Sequence, residues 1–276
     1  MSGPHPANAA ARRALLALIE QAGIRPGTRL LVAVSGGSDS MALASAALFV
    51  GPRHGYPVAS MTVDHGVRPE SADEAEQVRA RLESMGVDPA LTASVSVDAS
   101  RGGPEGAARD PRYAAIAEAA RSLSAVVLAG HTADDQAETV LLGLARGSGA
   151  RSIRGMPPIG TLPGAPDVPL LRPLLGLRRP DLRAGLSDLC ILWVDDPTNA
   201  PDSEWRTADG ALLRRTALRH GSLPALEKDL GAGVVESLAR TARLISADDD
   251  ALEEWACRAR ELWAGELPMG ELRKLP

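Results

Sequence analysis

The chain has 276 residues, of which 45% are hydrophobic, 24% charged and only 3% aromatic, a mix that excludes disordered, collagen-like and fibrous proteins. Its length allows one large domain or two unequal ones, with a sizeable core that needs no staples. A net charge of −5 argues against a body that is wholly a nucleic-acid grip, and the few aromatics argue against a broad base-stacking platform.

Ala9–Gln21 predicts a short amphipathic helix with Leu15, Leu16, Leu18 and Ile19 inward. After a Pro26-Gly27 turn, Arg29–Val34 is a continuous apolar run of the length of a buried parallel strand. It passes through Ser35-Gly36-Gly37-Ser38-Asp39-Ser40 into a helix at Met41–Val50. Val58–Val63 predicts a second strand ending at Asp64-His65, and Leu91–Val97 a third. Between them Ser71–Gly86 reads as a helix capped by Ser71, with Glu74 completing a capping box. Asp110-Pro111 opens a helix that runs to Ser122. Ala125–Ala129 predicts a fourth strand ending at Gly130-His131, followed by a helix over Thr132–Arg146. Gly147–Pro173, rich in glycine and proline, reads as a long functional loop. Ile191–Val194 predicts a fifth strand before Asp195-Asp196-Pro197. Beyond Asn199 only helices are expected, at Ala211–His220, Ala225–Leu230, Val234–Ile245 and Ala251–Leu262. The alternation implies an α/β fold, a doubly wound and mostly parallel sheet in residues 1–200, with a small all-helical domain in residues 201–276.

Cys190 and Cys257 form no C-x-x-C pair, so no metal cluster is expected and a reducing compartment, the cytoplasm, is the expected address. Met1–Arg13 does not read as a signal peptide, and no apolar run approaches the roughly 20 residues of a membrane helix.

Two segments carry chemistry. Ser35–Ser40 follows a buried strand and opens a helix, so its glycines turn backbone N–H groups toward one point and the helix N-terminus adds partial positive charge. That is a phosphate cradle, although it matches neither G-x-x-x-x-G-K-[ST] nor G-x-G-x-x-G. Asp39 inside it would repel phosphate unless it faces Mg²⁺. The second segment is His131-Thr132-Ala133-Asp134-Asp135-Gln136-Ala137-Glu138-Thr139. His131, Asp135 and Glu138 fall at i, i+4 and i+7, on one helical face, with Val140, Leu141 and Leu144 expected to cover the opposite, buried side. A plain acidic first turn capped by Thr132 explains one or two of these acids better than three. In open α/β sheets ligands bind where strand order reverses, which would bring this cluster beside Ser35–Ser40.

The S-G-G-S-D-S string resembles the signature of the PP-loop ATP pyrophosphatases. With H-T-A-D-D-Q-A-E-T, V-D-H-G-V-R (Val63–Arg68), A-A-R-D-P-R-Y (Ala107–Tyr113) and W-V-D-D-P-T-N (Trp193–Asn199), the chain is similar to the tRNA(Ile)-lysidine synthase family over residues 29–245. The resemblance implies ATP-dependent adenylation of the wobble cytidine of a tRNA(Ile) with a CAU anticodon, then ligation of free L-lysine to C2, with AMP and pyrophosphate released. It implies ATP and Mg²⁺ as cofactors. Ser35, Gly36, Gly37, Ser38, Asp39 and Ser40 would bind the phosphates, and Asp64 and His65 the adenosine. Asp39 and Asp134 would hold the metal, Asp135 and Glu138 the lysine amine. His131 would belong to the catalytic cluster, and Arg109 or Arg112 would hold a phosphate or carboxylate. A homodimer stays open. So do two other readings, a PP-loop tRNA thiolase, which the two lone cysteines disfavour, and a non-catalytic tRNA-binding relative.

Thr216, in Arg215-Thr216-Ala217-Leu218-Arg219, stands where relatives usually carry Asn, and Trp205–Leu213 looks inserted before it. Relatives continue past Pro276, so the chain reads as a short or truncated form. Residues 144–220 carry a net charge of +3 against −4 on either side, and arginines among them, including Arg146, Arg151, Arg154, Arg172, Arg178, Arg179, Arg183, Arg214, Arg215 and Arg219, suggest a stripe for tRNA phosphates.

Overall fold

A computed structural model describes residues 5–64, 66, 70–95, 109–147, 149–197, 200–202, 206 and 211–262. Among the described residues six strands form one sheet: β1 (Arg29–Ala33), β2 (Val58–Asp64), β3 (Ala90–Ser94), β4 (Ala125–Ala129), β5 (Ile159–Leu162) and β6 (Ala165–Leu171). Their order is β3-β2-β1-β4-β6-β5, and every pairing is parallel except the β5–β6 hairpin. Apolar runs such as Leu30–Ala33 suit strands covered on both faces. On one face Leu30, Val32 and Val34 pack with α1 (Pro6–Gln21), α2 (Ser38–His54), α3 (Ser71–Ser84) and, through Leu182 and Leu186, α7 (Arg179–Asp188). On the other, Leu31, Ala33 and Val127 meet Ile116, Ala117 and Ala120 of α4 (Arg109–Ser122).

The chain steps outward from β1 to β3 and then returns to β4 on the other side of β1. The crevice this leaves, between the C-terminal ends of β1 and β4, is where such sheets take ligands. The two ends touch. A Cβ at Gly130, just after β4, would lie 2.9 Å from the backbone oxygen of Asp39 in the first turn of α2. Gly130→Ala is therefore expected to destabilise the protein by about 1–3 kcal/mol, read in a urea melt, because backbone and not a flexible side chain would have to move.

Helix α5 (Ala133–Ala145) leaves β4 through the expected Thr132 cap, with a capping box between Thr132 and Asp135. A short α6 (Ala150–Ile153) follows. After α7 come α8 (Arg214–Ala217), a π-helical turn at Leu218–Ser222, α9 (Leu223–Leu230) and α10 (Val234–Leu262). Leu223 and Val235 of this helical region pack on Ala133 and Ala137 of α5 in a small core of their own. Among the described residues, no helix is long and apolar enough to cross a membrane.

Several elements differ from expectation. The proline-rich 147–173 segment holds α6 and the β5–β6 hairpin, turned at Pro163-Gly164. Its prolines are tolerated because β6 pairs with β4 only at Leu170 and Leu171, beyond Pro166 and Pro169. Those pairings fill the place beside β4, and Ile191–Val194 forms no strand; it passes the phosphate loop, where Val194 N–H donates to Gly36 O at 2.9 Å. Arg179–Asp188, not anticipated as a helix, is α7. Helix α3 begins at Ser71 with Glu70 as its cap residue. The two helices expected in 234–262 are one, since Arg154 holds Asp249 at 2.5 Å and Asp250 at 2.7 Å in the acidic run where a break was expected. Of the Trp205–Leu213 segment only Arg206 and 211–213 are described, and Arg206 pairs with Leu212 in an antiparallel bridge.

Candidate active site

The loop after β1 closes on itself. Ser40 Oγ donates to Gly37 O at 2.9 Å and accepts the Ser35 N–H at 3.2 Å. Gly36 has φ +83°, and a Cβ there would lie 2.7 Å from Val78 Cγ2, so the tight turn requires glycine. The first helical hydrogen bond of α2 runs from Met41 N–H to Gly37 O, which leaves the amides of Ser38, Asp39 and Ser40 without an acceptor in the helix. Such amides suit an anion.

Opposite the loop, α5 presents its acids, and both Asp135 and Glu138 are buried, Glu138 completely. The helix faces are therefore not divided as expected: Val140 is buried, but Leu144 is 53% exposed. The acid face is the enclosed one because α7, the π-helical turn and the helical region close over it. Their arginines compensate the charge. Arg179 bridges the two clusters, with Nε 2.7 Å from Asp39 Oδ2 and an Nη 2.9 Å from Asp135 Oδ1. Arg219, on the π-helical turn, forks onto Glu138 at 2.8 and 3.2 Å and lies 3.5 Å from Asp135. π-helical turns recur at functional sites. Asp134 accepts the backbone N–H of Arg179 at 2.8 Å and meets Arg178 at 3.3 Å, and Arg178 continues to Glu227 and Glu236, both at 2.9 Å.

The carboxyls are tuned apart. Burial pushes Asp39 up, against the pull of Arg179, and pushes Glu138 up, against that of Arg219. Burial acts the same way on Asp135, but Arg179 and the Thr132 hydrogen bonds outweigh it and hold Asp135 low. Pairs of groups driven apart in this way mark divided acid and base roles.

His131 precedes the Thr132 cap, so it does not share the helical face with Asp135 and Glu138. Its Nδ1 is buried without a hydrogen-bond partner among the described residues. Burial, reinforced by nearby arginines, lowers its pKa to about 4. The folded state thus binds this proton more weakly than the unfolded chain, so His131 costs stability as pH falls below its ordinary value toward about 4. Unfolding free energy is expected to drop by about 2 kcal/mol between about pH 7 and pH 5 from this group, and His131→Gln to remove that share of the slope in paired urea melts.

Asp64, at the end of β2, is buried and accepts the Gly66 N–H at 2.9 Å. His65 and the side chain of Arg109 lie outside the described residues. Unanticipated in this site were Arg178, Arg179, Arg183 and Arg219, which sequence spacing groups only as part of a basic stripe. The one available signal was the acidic excess itself, since buried carboxylates require cations. That spending of arginines inside the molecule also reduces the stripe available to an outside partner.

The donors suit Mg²⁺. Asp39 and Asp135 already converge on a single cationic group, and Mg²⁺ commonly takes one or two carboxylates, with phosphate and water completing its shell. Asp134 meets Arg178 and the backbone N–H of Arg179 rather than that guanidinium. Among the described residues no group of three acids, histidines or cysteines is arranged to hold a metal by itself.

The PP-loop domain family matches residues 7–224. The tRNA(Ile)-lysidine synthase of Streptomyces coelicolor is 50% identical over 83% of this chain and 62% of its own length. That of Leifsonia xyli is 46% identical over 87% and 68%, and that of Thermobifida fusca 44% over 95% and 75%. The chain thus spans 62–75% of the length of these relatives, less than two thirds of the first. Among solved structures, the U34-tRNA thiolase NcsA from Methanococcus maripaludis superposes with a TM-score of 0.65 at 15% identity, covering 86% of this chain and 78% of that one, a likeness of fold. The chain belongs to the tRNA(Ile)-lysidine synthase family of PP-loop proteins.

Proposed function

We propose that this chain ligates lysine to the wobble cytidine of a tRNA(Ile) with a CAU anticodon, using ATP. In the first step the α-phosphorus of ATP bonds to O2 of the base and pyrophosphate leaves. In the second the lysine ε-nitrogen bonds to C2, the C2–O2 bond breaks, AMP departs carrying that oxygen, and the amine loses a proton. The observation that carries the reading is the convergence of Asp39, from a phosphate-binding loop, and Asp135, from an acidic helix, on one cation. Identity of 44–50% to named lysidine synthases supports the substrates.

In this reading the Ser35–Ser40 amides and hydroxyls bind the phosphates. Asp39 would hold Mg²⁺, whose charge would offset that developing on the departing pyrophosphate. Asp135 stays ionised and positions the lysine amine, while Glu138, with its raised pKa, takes the proton. Asp134 fixes α7 and with it Arg179. Burial just ahead of the α5 cap keeps His131 neutral near pH 7. Two exposed free cysteines, Cys190 and Cys257, agree with a cytoplasmic setting. The test is release of AMP and pyrophosphate from ATP by the purified chain. It should require both lysine and the CAU-bearing tRNA for turnover; ATP cleavage indifferent to tRNA would refute the assignment.

A further inference from the structure

Arg179 and Arg183 stand four residues apart at the start of α7 and share a face. Both reach the phosphate loop. Arg179 Nε donates to Asp39 Oδ2, and Arg183 Nε donates to Ser38 Oγ at 3.2 Å. The helix that carries them is fixed. Leu182 and Leu186 sit in the main core, Asp134 accepts the Arg179 amide, and Asn8 Nδ2 donates to Gly185 O at 2.8 Å. Only the side chains have to turn.

The geometry points to α7 as the second wall of the nucleotide site, with Arg179 and Arg183 gripping the terminal phosphates of ATP and holding pyrophosphate as it leaves. This rests on the ATP reading of the Ser35–Ser40 loop. A triphosphate brings several negative charges into a loop that offers amides, hydroxyls and one acid, so flanking cations are required. Guanidinium forks match phosphate oxygens in shape and charge. The contacts that Arg183 would give up are modest. Arg183 holds a neutral hydroxyl and a solvent-exposed pairing with Asp195, and its side chain is 41% accessible. Arg179 would pass from Asp39 to phosphate as Mg²⁺ takes that carboxylate. What separates these two arginines from a stripe facing tRNA is that both point inward at Ser38 and Asp39.

Arg183→Gln, an exposed change that the fold should tolerate, tests this by calorimetric binding of ATP and of AMP, each with Mg²⁺, to the full chain. The ATP dissociation constant should rise by about tenfold or more, because charge-assisted bonds to phosphate are lost. The AMP constant should move less than about twofold, since AMP lacks the phosphates concerned, and Arg183→Lys should recover part of the loss. A parallel fall in ATP and AMP affinity would overturn the proposal in favour of a structural role. Unchanged ATP affinity with weakened tRNA binding would overturn it in favour of an outer tRNA contact. These readouts do not depend on lysine transfer. If the unsubstituted chain never modifies tRNA, the functional reading fails while the ATP–AMP split can still stand.

Discussion

Asp39→Asn should reduce ATP-dependent lysine incorporation by about 10²–10³-fold, the usual cost of removing one preorganised electrostatic contact to the reacting group. The same substitution should leave the melting temperature unchanged or raise it. Burial pushes the Asp39 carboxyl up, so the fold already disfavours its ionised form, and a neutral isostere removes that penalty. Arg179 is not stranded, because it keeps Asp135 at 2.9 Å. A residue that costs stability at a phosphate loop is expected to serve chemistry. Activity near that of the unsubstituted chain, measured as labelled lysine in tRNA, would remove Asp39 from the metal role.

Arg219→Met should behave in the opposite way. Glu138 is completely buried and Arg219 forks onto it at 2.8 and 3.2 Å. Without the arginine a buried carboxylate loses its partner, which costs about 3–5 kcal/mol. Asp135, 3.5 Å from the same guanidinium, retains Arg179 and adds less. Adding Glu138→Gln to Arg219→Met should recover much of the loss, since a neutral amide needs no counter-charge. Urea melts of the four proteins in this cycle give the coupling energy directly. A coupling near zero would mean that the helical region is held on α5 by the small core of Ala133, Ala137, Leu223 and Val235 alone.

The parallel sheet was legible because its central strands are apolar runs between glycine and acid punctuation, and Arg29–Ala33, Val58–Asp64 and Ala125–Ala129 lie where their patterns place them. The position of the phosphate loop beside the acidic helix followed from strand order alone. The β5–β6 hairpin was hidden because prolines obscure a strand whose ladder is one-sided. The expected strand at Ile191–Val194 has strand-like residues, but β6 already takes the place beside β4. Helix α10 runs through Asp248-Asp249-Asp250 because Arg154, almost a hundred residues earlier, supplies the counter-charge. The acids of the site could be picked from i, i+4 and i+7 spacing, but their cations could not. Arg178, Arg179, Arg183 and Arg219 reach Asp134, Asp39, Ser38 and Glu138 across 44 to 145 positions of sequence, and no local pattern encodes such pairings.

One crevice between β1 and β4 is expected to join ATP, a cytidine and lysine. Incubating the chain with ATP, Mg²⁺, labelled lysine and a tRNA(Ile) bearing a CAU anticodon tests it most directly. Label should stay with the tRNA through denaturation, appear only when ATP is present, and match AMP release one for one. Label that never enters the tRNA, while the protein still binds that tRNA and ATP, would contradict it.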